Sequence, residues 1–213
     1  IKYSYNIDFQ KREFIDNLDL LDKKILIWVH QNCSNSVFDV IMPKITDQNN
    51  WIIFIALLTF CLAFRLGKKG KIALSLLIIS VALTDMFCAQ VLKPYFERLR
   101  PSHVNLEGLN LLVSKGGKWS MPSNHAANIF SFAVILSYFY NSFKYLIFGL
   151  AFTIAFSRMY VGVHYFGDII VGASVAYRFS WFLLTLWVIL KMRELKRGKT
   201  WVWYQKDPPI FKI

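Results

Sequence analysis

The chain has 213 residues, of which 55% are hydrophobic and 18% are charged, and its 25 Lys and Arg residues outnumber its 13 Asp and Glu residues to give a net charge of +12. Soluble domains carry charge on about a quarter of their residues, so this composition excludes an ordinary soluble domain and a disordered chain. The three cysteines, Cys33, Cys61 and Cys88, are too few for the disulfide framework of a secreted scaffold. The composition indicates an integral membrane protein.

Residues 1–49 carry two apolar stripes at helical spacing, separated by a polar break at residues 32–36. The first stripe contains Leu18, Leu21, Ile25, Trp28 and Val29, and the second contains Val37, Phe38, Ile41, Met42 and Ile45. Charged residues, among them Asp19 and Asp22, fall on the opposite face, so the pattern predicts two amphipathic helices. These helices would either lie in the membrane interface or pack on the membrane helices as a small hairpin. We expect residues 1–49 to form an N-terminal unit of interfacial helices.

Five apolar segments follow, at residues 51–64, 72–92, 126–140, 145–156 and 169–190. A helix needs about 20 apolar residues to cross roughly 30 Å of hydrocarbon, so the second and fifth segments are long enough unaided. The third and fourth segments need their polar flanks at residues 121–125 and 157–163, which places those flanks at the membrane surface. The sequence therefore predicts an all-α integral membrane protein, in which five to six transmembrane helices form a bundle over residues 50–190.

Basic residues lie mainly between the apolar segments and after the last one. Arg65 and three lysines join the first two segments, Lys144 joins the third and fourth, and a basic tail over residues 191–213 follows the fifth. Excess lysine and arginine marks cytoplasmic connections, so we place these three at the cytoplasmic face of a bacterial inner membrane. Because the cations do not follow one polar surface, they do not favour nucleic acid as a partner.

The connections at the external face contain three cations that suit an anionic ligand. Lys93 and Arg100 follow the second segment and Arg158 ends the fourth, so all three could surround the oxygens of one phosphate group. Ser123 and the backbone N–H group of Asn124 begin the third helix, where exposed amides and the helix dipole favour an anion. We therefore predict that Lys93, Arg100, Ser123, Asn124 and Arg158 bind phosphate.

Two histidines lie in the same external connections. His164 and Asp168 are four residues apart and would share a helix face, where the carboxylate would fix the imidazole tautomer for nucleophilic attack. That leaves His125 as the acid. Glu97 and Glu107 have no paired histidine motif, so the sequence predicts neither a metal site nor a cofactor.

The three external blocks together resemble the signature of a known superfamily. They read Lys93, six residues, Arg100-Pro101; then Pro122-Ser123-Asn124-His125; then Ser157-Arg158, five residues, His164, three residues, Asp168. In order and spacing this is similar to the type 2 phosphatidic acid phosphatase and vanadium haloperoxidase superfamily, in its membrane lipid phosphatase branch. One departure is Asn124, where glycine is common. Asparagine tolerates unusual backbone angles better than most residues, so the turn can survive.

The resemblance implies a hydrolase that removes phosphate from a lipid phosphate monoester or pyrophosphate through a phosphohistidine. His164 would attack phosphorus, Asp168 would orient it, and His125 would protonate the leaving oxygen and later activate water. Phosphatases of this superfamily need no metal. A vanadate-dependent oxidase would use similar residues, but those enzymes are soluble and larger.

A site at the outer membrane surface would receive a phosphate group whose lipid chains stay in the bilayer. The chain resembles small bacterial members of the superfamily, and this resemblance ranks lipid A first among the candidate substrates. The group expected to be removed is the 1-phosphate, as in the LpxE-type phosphatases, or the enzyme acts on several of these lipids with relaxed specificity. Undecaprenyl pyrophosphate and phosphatidylglycerol phosphate are alternatives within this class. A membrane transporter is the alternative from another class, but the two halves of the chain show no internal repeat. The sequence leaves the oligomeric state open.

For other polar residues the sequence predicts structural roles or contacts outside the site. Asp85 and Arg178 have similar depth in the second and fifth segments, and because lone charges there are costly we expect them to form an ion pair. Arg98 is either a contact to a lipid headgroup or a solvated loop charge. His30 and His103 are expected to have structural roles.

Overall fold

The computed structural model describes residues 2–205 and 209, and those residues form helices and no strand. The helices are α1 Lys2–Asn32, α2 Ser36–Thr46, α3 Ile52–Phe60, α4 Gly67–Phe87, α5 Lys93–Phe96, α6 Asn124–Phe139, α7 Lys144–Tyr160 and α8 Phe166–Lys196. π-helical turns at Cys61–Arg65 and Cys88–Leu92 continue α3 and α4, and a 3₁₀ turn at Gln48–Trp51 leads into α3. The all-α prediction is confirmed.

Three stretches in the described part of the chain are long and apolar enough to cross a membrane, namely Gln48–Arg65, Gly67–Phe96 and Phe166–Lys196. They contain the first, second and fifth predicted segments. The third and fourth segments form α6 and α7, which have 16 and 17 residues and lengths of about 24 and 26 Å. α6 begins at Asn124 and α7 continues to Tyr160, so both helices include part of their polar flanks, as expected.

α6 is the central helix of the bundle and packs against α4, α7 and α8. Small side chains allow close approach, because Ala126, Ala127 and Ala133 are fully buried on its surface. α4 and α8 also meet directly, where Ser80 Oγ and Ser180 Oγ lie 2.8 Å apart. α6 thus sets the spacing between the helices that carry the three external blocks.

The two N-terminal helices pack on the end of the bundle where α7 ends and α8 begins. Leu26 and Met42 are buried in a cluster with Met159 and Tyr160. The predicted break is present, and the side chain of Asn35 caps α2. Apolar side chains on the other faces are exposed, among them Leu18, Leu21, Trp28, Val37 and Ile41. The pair therefore packs on the bundle as a hairpin and also presents an apolar surface of the kind that enters a membrane interface.

The basic connections lie together at the opposite end of the bundle. Lys69 Nζ, in the first turn of α4, lies 4.6 Å from the centre of the Tyr140 ring at the end of α6. The ring of Tyr204, beyond the end of α8, lies 6.0 Å from Lys69 Nζ and 4.9 Å from Lys191 Nζ. The prediction that these connections share one side is confirmed.

The C-terminal region differs in extent from the prediction. α8 continues to Lys196, beyond the predicted start of the tail. The chain then folds back, and Trp201 Nε1 donates a hydrogen bond to Glu194 Oε2 at 3.2 Å. The last residues of the predicted tail, 206–208 and 210–213, lie outside the described residues.

The predicted ion pair between Asp85 and Arg178 is wrong. Asp85 Oδ1 instead accepts hydrogen bonds from Asn124 Nδ2 at 2.8 Å and from Asn128 Nδ2 at 2.9 Å, both on α6. Arg178 is exposed. Ser180, two residues further on, faces α4, and two residues rotate a helix by about 200°, so Arg178 points away from α4. Similar depth along two helices does not specify which faces meet.

Close contact between α8 and the start of α6 depends on Gly172. A Cβ atom there would lie 2.6 Å from the carbonyl oxygen of Ser123, so Gly172→Ala must displace backbone. We expect this substitution to lower the free energy of unfolding by about 1–3 kcal/mol, measured by thermal unfolding in detergent. Gly149→Ala in α7 is the matched control, because a Cβ atom at that position meets nothing within 4 Å. Equal destabilisation in both variants would contradict the close contact.

Candidate active site

The predicted site residues meet at the end of the bundle opposite the basic connections. The first block comes from α5 and the loop after it, and the second comes from the start of α6. The third runs from the end of α7 through the following turn into the start of α8. Positive charge from Lys93, Arg100 and Arg158 acts on the imidazoles of both His125 and His164. The two imidazoles are also close enough to act on each other. The three blocks therefore lie close together at this end of the bundle.

Two of the cations belong to the first block, with Lys93 in α5 and Arg100 in the loop that follows it. A single backbone bridge joins Leu99 to Trp119. The Trp119 carbonyl oxygen accepts hydrogen bonds from Lys93 Nζ at 3.3 Å and from Arg100 Nε at 3.1 Å. An ammonium group has three donors and a guanidinium has five, so both side chains keep donors for a further acceptor.

Arg158 provides the third cation and a buried donor without a partner. Its Nη1 atom donates to Thr46 Oγ1 at 2.6 Å, whereas its buried Nε atom has no hydrogen-bond partner. In the part of the chain that the structure describes, Lys93, Arg100 and Arg158 form no ion pair with an acidic side chain. Unpaired buried donors are costly, and a bound anion would satisfy them. The three cations favour a ligand with several negatively charged oxygens.

His164 and Asp168 are in contact, as predicted. His164 Nδ1 lies 3.3 Å from Asp168 Oδ2, and both side chains are buried. The local geometry differs from a shared helix face, because His164 lies in the turn before α8 and Asp168 accepts the Tyr165 N–H group at 2.9 Å as a helix cap. Burial, followed by the positive charges of Arg100 and Arg158, holds the pKa of His164 well below its ordinary value. Burial and the nearby cations favour the neutral imidazole, and the carboxylate beside Nδ1 is placed to accept an Nδ1–H group, which would leave the lone pair on Nε2.

The start of α6 is joined to the start of α8. Ser123 N donates to the Asp168 carbonyl oxygen at 3.0 Å, and Ser123 Oγ caps α6 by accepting the Ala126 N–H group at 3.4 Å. The side chain of Asn124 leaves the site and donates to Asp85 Oδ1. Any contact between Asn124 and an anion would therefore use its backbone N–H group, which is free in the first turn of a helix. Asn124, at the position where glycine is common, therefore links α6 to α4 through this hydrogen bond.

Arg98 lies in the site, and neither sequence-based alternative for it is right. Its guanidinium donates to Asp168 Oδ1 at 3.0 Å, to Asp22 Oδ2 at 2.7 Å and to Asp19 Oδ1 at 2.7 Å. The guanidinium carbon also lies 4.0 Å from the centre of the Tyr165 ring. Burial alone would lower the pKa of Arg98, but the charges of Asp168 and Asp22 outweigh it and raise this pKa. Arg98 is a half-buried counter-charge to the buried Asp168.

Asp22 extends this network to the backbone of α8. Its Oδ1 atom accepts the Gly167 N–H group at 2.9 Å, and a Cβ atom at Gly167 would lie 2.7 Å from Asp22 Oδ2. The N-terminal helix therefore holds Arg98 against Asp168. The only sequence signal was a pair of acidic residues, Asp19 and Asp22, three positions apart on the polar face of α1.

The turn before α3 also reaches the site, although the sequence did not identify it. Gln48 Nε2 lies 3.1 Å from His125 Nε2, and Thr46 contacts Arg158 as described above. These four residues and Arg100 help to line a cavity of about 580 Å³. Their position just before the first apolar segment was compatible with the same face of the membrane, but it did not indicate contact.

The remaining predicted roles are structural. His30 Nε2 lies 3.3 Å from the Met159 carbonyl oxygen, and His103 Nε2 lies 3.2 Å from that of Gly116. Among the described residues, no group of three or more His, Cys, Asp or Glu side chains could hold a metal ion. A neutral imidazole paired with a carboxylate, a second imidazole and three cations together suit the transfer of a phosphoryl group to nitrogen.

Comparison with known proteins relates these blocks to a family. A family model described as the PAP2 superfamily matches residues 70–191, which contain all three blocks. The chain belongs to the PAP2 superfamily. The resemblance recognised in the sequence is thus confirmed, and this PAP2 protein is a hydrolase that acts on a lipid phosphate.

Two curated relatives of this PAP2 protein bear the name lipid A 4'-phosphatase. The relative from Bacteroides thetaiotaomicron is 30% identical over 171 residues, which cover 76% of this chain and 74% of that protein. The relative from Porphyromonas gingivalis is 28% identical over 158 residues, which cover 71% of this chain and 66% of that protein.

Two solved structures share the fold of this PAP2 protein. The crystal structure of Aquifex aeolicus LpxE matches with a TM-score of 0.61 and 28% identity, covering 75% of this chain and 93% of that chain. The crystal structure of a transmembrane PAP2-type phosphatidylglycerolphosphate phosphatase from Bacillus subtilis matches with a TM-score of 0.58 and 20% identity. It covers 81% of this chain and 85% of that chain, and at this identity the likeness concerns the fold alone.

Proposed function

We propose that this protein removes a phosphate group from lipid A in two steps, through a phosphohistidine at His164. One observation carries the proposal: three cations, which have no acidic partner among the described residues, lie close to His125 and to the buried pair of His164 and Asp168. The names of the two curated relatives support lipid A as the lipid.

In the first step, His164 Nε2 attacks phosphorus, so that a P–N bond forms as the bond to the lipid oxygen breaks. Asp168 holds the Nδ1–H group and stabilises the positive charge that develops on the imidazole. Lys93, Arg100 and Arg158 bind the phosphoryl oxygens, with help from the first turn of α6. The negative charge of the bound phosphate favours the protonated form of His125, which gives its proton to the leaving lipid oxygen.

In the second step, water attacks the phosphohistidine. His125, which has lost its proton to the leaving group, accepts a proton from this water. The P–N bond breaks, inorganic phosphate leaves, and His164 returns to its neutral form. The same three cations bind the phosphoryl oxygens in both steps, so no further group is required.

The proposed arrangement in the membrane follows the sequence prediction. Five helices, α3 with its π-helical turn, α4, α6, α7 and α8, would cross a bacterial inner membrane, and the site would face the external side. Residues 1–49 would lie at the interface, residues 50–190 would form the transmembrane domain, and residues 191–213 would form the cytoplasmic tail. The exposed apolar residues of α1 and α2 and the basic opposite end support this orientation.

An apolar groove supports a lipid substrate. It has a volume of about 790 Å³, lies between α6, α7 and α8, and is lined by aromatic residues such as Phe130, Phe152 and Phe166. Met159 and Ile169 also line it, next in sequence to Arg158 and Asp168. An acyl chain in this groove would place its headgroup beside the site.

The curated relatives favour the 4'-phosphate of lipid A, and the likeness to LpxE keeps the sequence-preferred 1-phosphate as the second candidate. The test uses lipid A with both phosphates and mass spectrometry of the product before and after mild acid, which removes only the anomeric phosphate. If the 4'-phosphate is removed, the product still loses a phosphate in mild acid. Release from undecaprenyl pyrophosphate or phosphatidylglycerol phosphate, with none from lipid A, would contradict the proposal.

We expect phosphate release to be unchanged by a chelator. Lys93, Arg100 and Arg158 supply the positive charge that a metal ion supplies in other phosphatases. The measurement is colorimetric phosphate release by the detergent-solubilised protein with and without EDTA. Loss of activity that returns on addition of a divalent cation would contradict this expectation.

A further inference from the structure

The cavity at the site is lined mainly by polar residues and lies beside one of the two histidines, His125. It is lined by Arg100, His125 and Arg158, by the segment 43–50 and by three residues of the loop before α6, Val113, Ser114 and Gly116. His164 does not line it, and the His164 side chain is 1% exposed. In an in-line displacement the leaving group departs on the side opposite the nucleophile. The leaving group therefore lies on the His125 side of the phosphate, which is where the cavity lies.

The segment 43–50 offers hydrogen-bond acceptors to this cavity. Asp47 Oδ1 accepts both the backbone and the side-chain N–H groups of Asn49, at 3.0 and 3.1 Å, and Asn50 Nδ2 donates to the Lys44 carbonyl oxygen at 2.8 Å. These contacts fix the turn and leave Asp47 Oδ2, Asn49 Oδ1 and Asn50 Oδ1 without a protein hydrogen bond among the described residues. Three oxygen acceptors in a fixed turn match a ligand that has several hydroxyl groups.

Gln48 completes this surface. Its amide contacts the Nε2 atom of His125, the atom that would give a proton to the leaving oxygen. A bound substrate must take this place. When Gln48 moves aside, its amide can bind a hydroxyl or carbonyl group next to the leaving oxygen.

From these observations, we propose that segment 43–50 forms a headgroup subsite that binds the hydroxyl-bearing saccharide to which the phosphate is attached. This inference rests on the proposed function, since it assigns the leaving side of the same site. A prenyl pyrophosphate has no hydroxyl group on its leaving side, so it would gain no hydrogen bond from these exposed acceptors and would be a poorer substrate. The subsite selects a saccharide lipid phosphate over a prenyl one.

The test compares two substrates in the full-length, detergent-solubilised protein: an acylated glucosamine phosphate and undecaprenyl pyrophosphate. We expect the wild-type protein to prefer the saccharide lipid by at least about 100-fold in kcat/KM, and Gln48→Leu and Asp47→Asn each to lower this ratio by about tenfold. Asp47→Asn keeps the Oδ1 acceptor that fixes the turn. Asn141→Leu is the control, because it changes an exposed amide at the other end of the bundle and should leave the ratio unchanged.

A binding measurement separates this inference from the proposed function. Affinity for the dephosphorylated saccharide lipid and for undecaprenol, measured by intrinsic tryptophan fluorescence, requires no phosphoryl transfer. We expect tighter binding of the saccharide lipid, weakened in both subsite variants. Equal affinity for the two lipids, or an equal fall in kcat/KM for both substrates in the variants, would overturn the subsite. Selective saccharide binding without turnover of any lipid phosphate would support the subsite and contradict the proposed function.

Discussion

We expect His164→Ala to lower phosphate release from the lipid substrate by at least about 1000-fold, which corresponds to about 4 kcal/mol of lost transition-state stabilisation. The substitution removes the nitrogen atom that would attack phosphorus, and Asp168 cannot replace it because its carboxylate is held by Arg98 and by the backbone of α8. His125→Ala should produce a comparable loss with a lipid leaving group, which needs a proton to depart. Phosphate release in detergent, compared at equal amounts of folded protein, measures both losses.

His103→Gln is the control for these two substitutions. His103 is exposed and contacts the Gly116 carbonyl oxygen, a contact that a glutamine amide can replace. This variant should keep activity close to that of the wild-type protein. Wild-type turnover in His164→Ala or in His125→Ala would exclude the proposed roles of these histidines.

The second large effect is expected from Arg98. Arg98→Ala would leave Asp168 and Asp22 buried without their counter-charge, and breaking such a buried pair costs about 3–5 kcal/mol. Part of this cost should appear as lower stability. We also expect kcat to fall by at least about 100-fold with little change in KM, because Asp168 would no longer be held where it orients His164.

Rescue experiments distinguish this positioning role from a purely structural one. Arg98→Lys keeps one charge without the fork that reaches three carboxylates, so it should recover part of kcat. Added guanidinium ion should recover part of kcat in Arg98→Ala. Arg197→Ala removes a surface arginine that pairs with Glu194 at the basic end, and it should change neither kcat nor stability appreciably. Failure of lysine and guanidinium to restore any activity in folded protein would argue against positioning.

The bundle and the three blocks could be predicted because short-range patterns specify them. Hydrophobic length identified the helices. Motif spacing selected Lys93, Arg100, His125, Arg158 and His164, all of which the structure brings close together at one end of the bundle. Basic connections alternate along the chain with the connections that carry the three blocks. This alternation predicted that the three blocks share the end of the bundle opposite the basic connections. None of these inferences depends on which face each helix turns toward its neighbours.

The sequence-based predictions that were wrong concern the rotation of helices about their axes and contacts between residues far apart in the sequence. Asp85 and Arg178 have similar depth but occupy faces of α4 and α8 that do not meet, and Asp85 pairs with two asparagines of α6 instead. Arg98 looked like a loop charge because its partners Asp19 and Asp22 lie 79 and 76 positions away in sequence. Hydrophobic periodicity reports which face of a helix is apolar, and it does not report what the polar face will contact.

Residues 1–49 are therefore more than a membrane-binding attachment. α1 supplies the carboxylates that hold Arg98 against Asp168, and the end of α2 and the turn after it contact Arg158 and His125. A site built only from the three signature blocks would lack the counter-charge of its buried aspartate and one wall of its cavity. Differences in this N-terminal part offer a physical route to different specificity on one PAP2 core.

The most direct test of the account is a search for the phosphoryl group on His164. In His125→Ala, an aryl phosphate that the wild-type protein hydrolyses should still react in the first step, since its leaving group needs no proton, whereas the second step lacks its base. Rapid quenching in alkali followed by peptide mass spectrometry should then detect an acid-labile phosphate on His164 that is absent from the double variant with His164→Ala. Wild-type turnover of the same ester, with no phosphate on His164 or with phosphate on another residue at every quench time, would contradict the account.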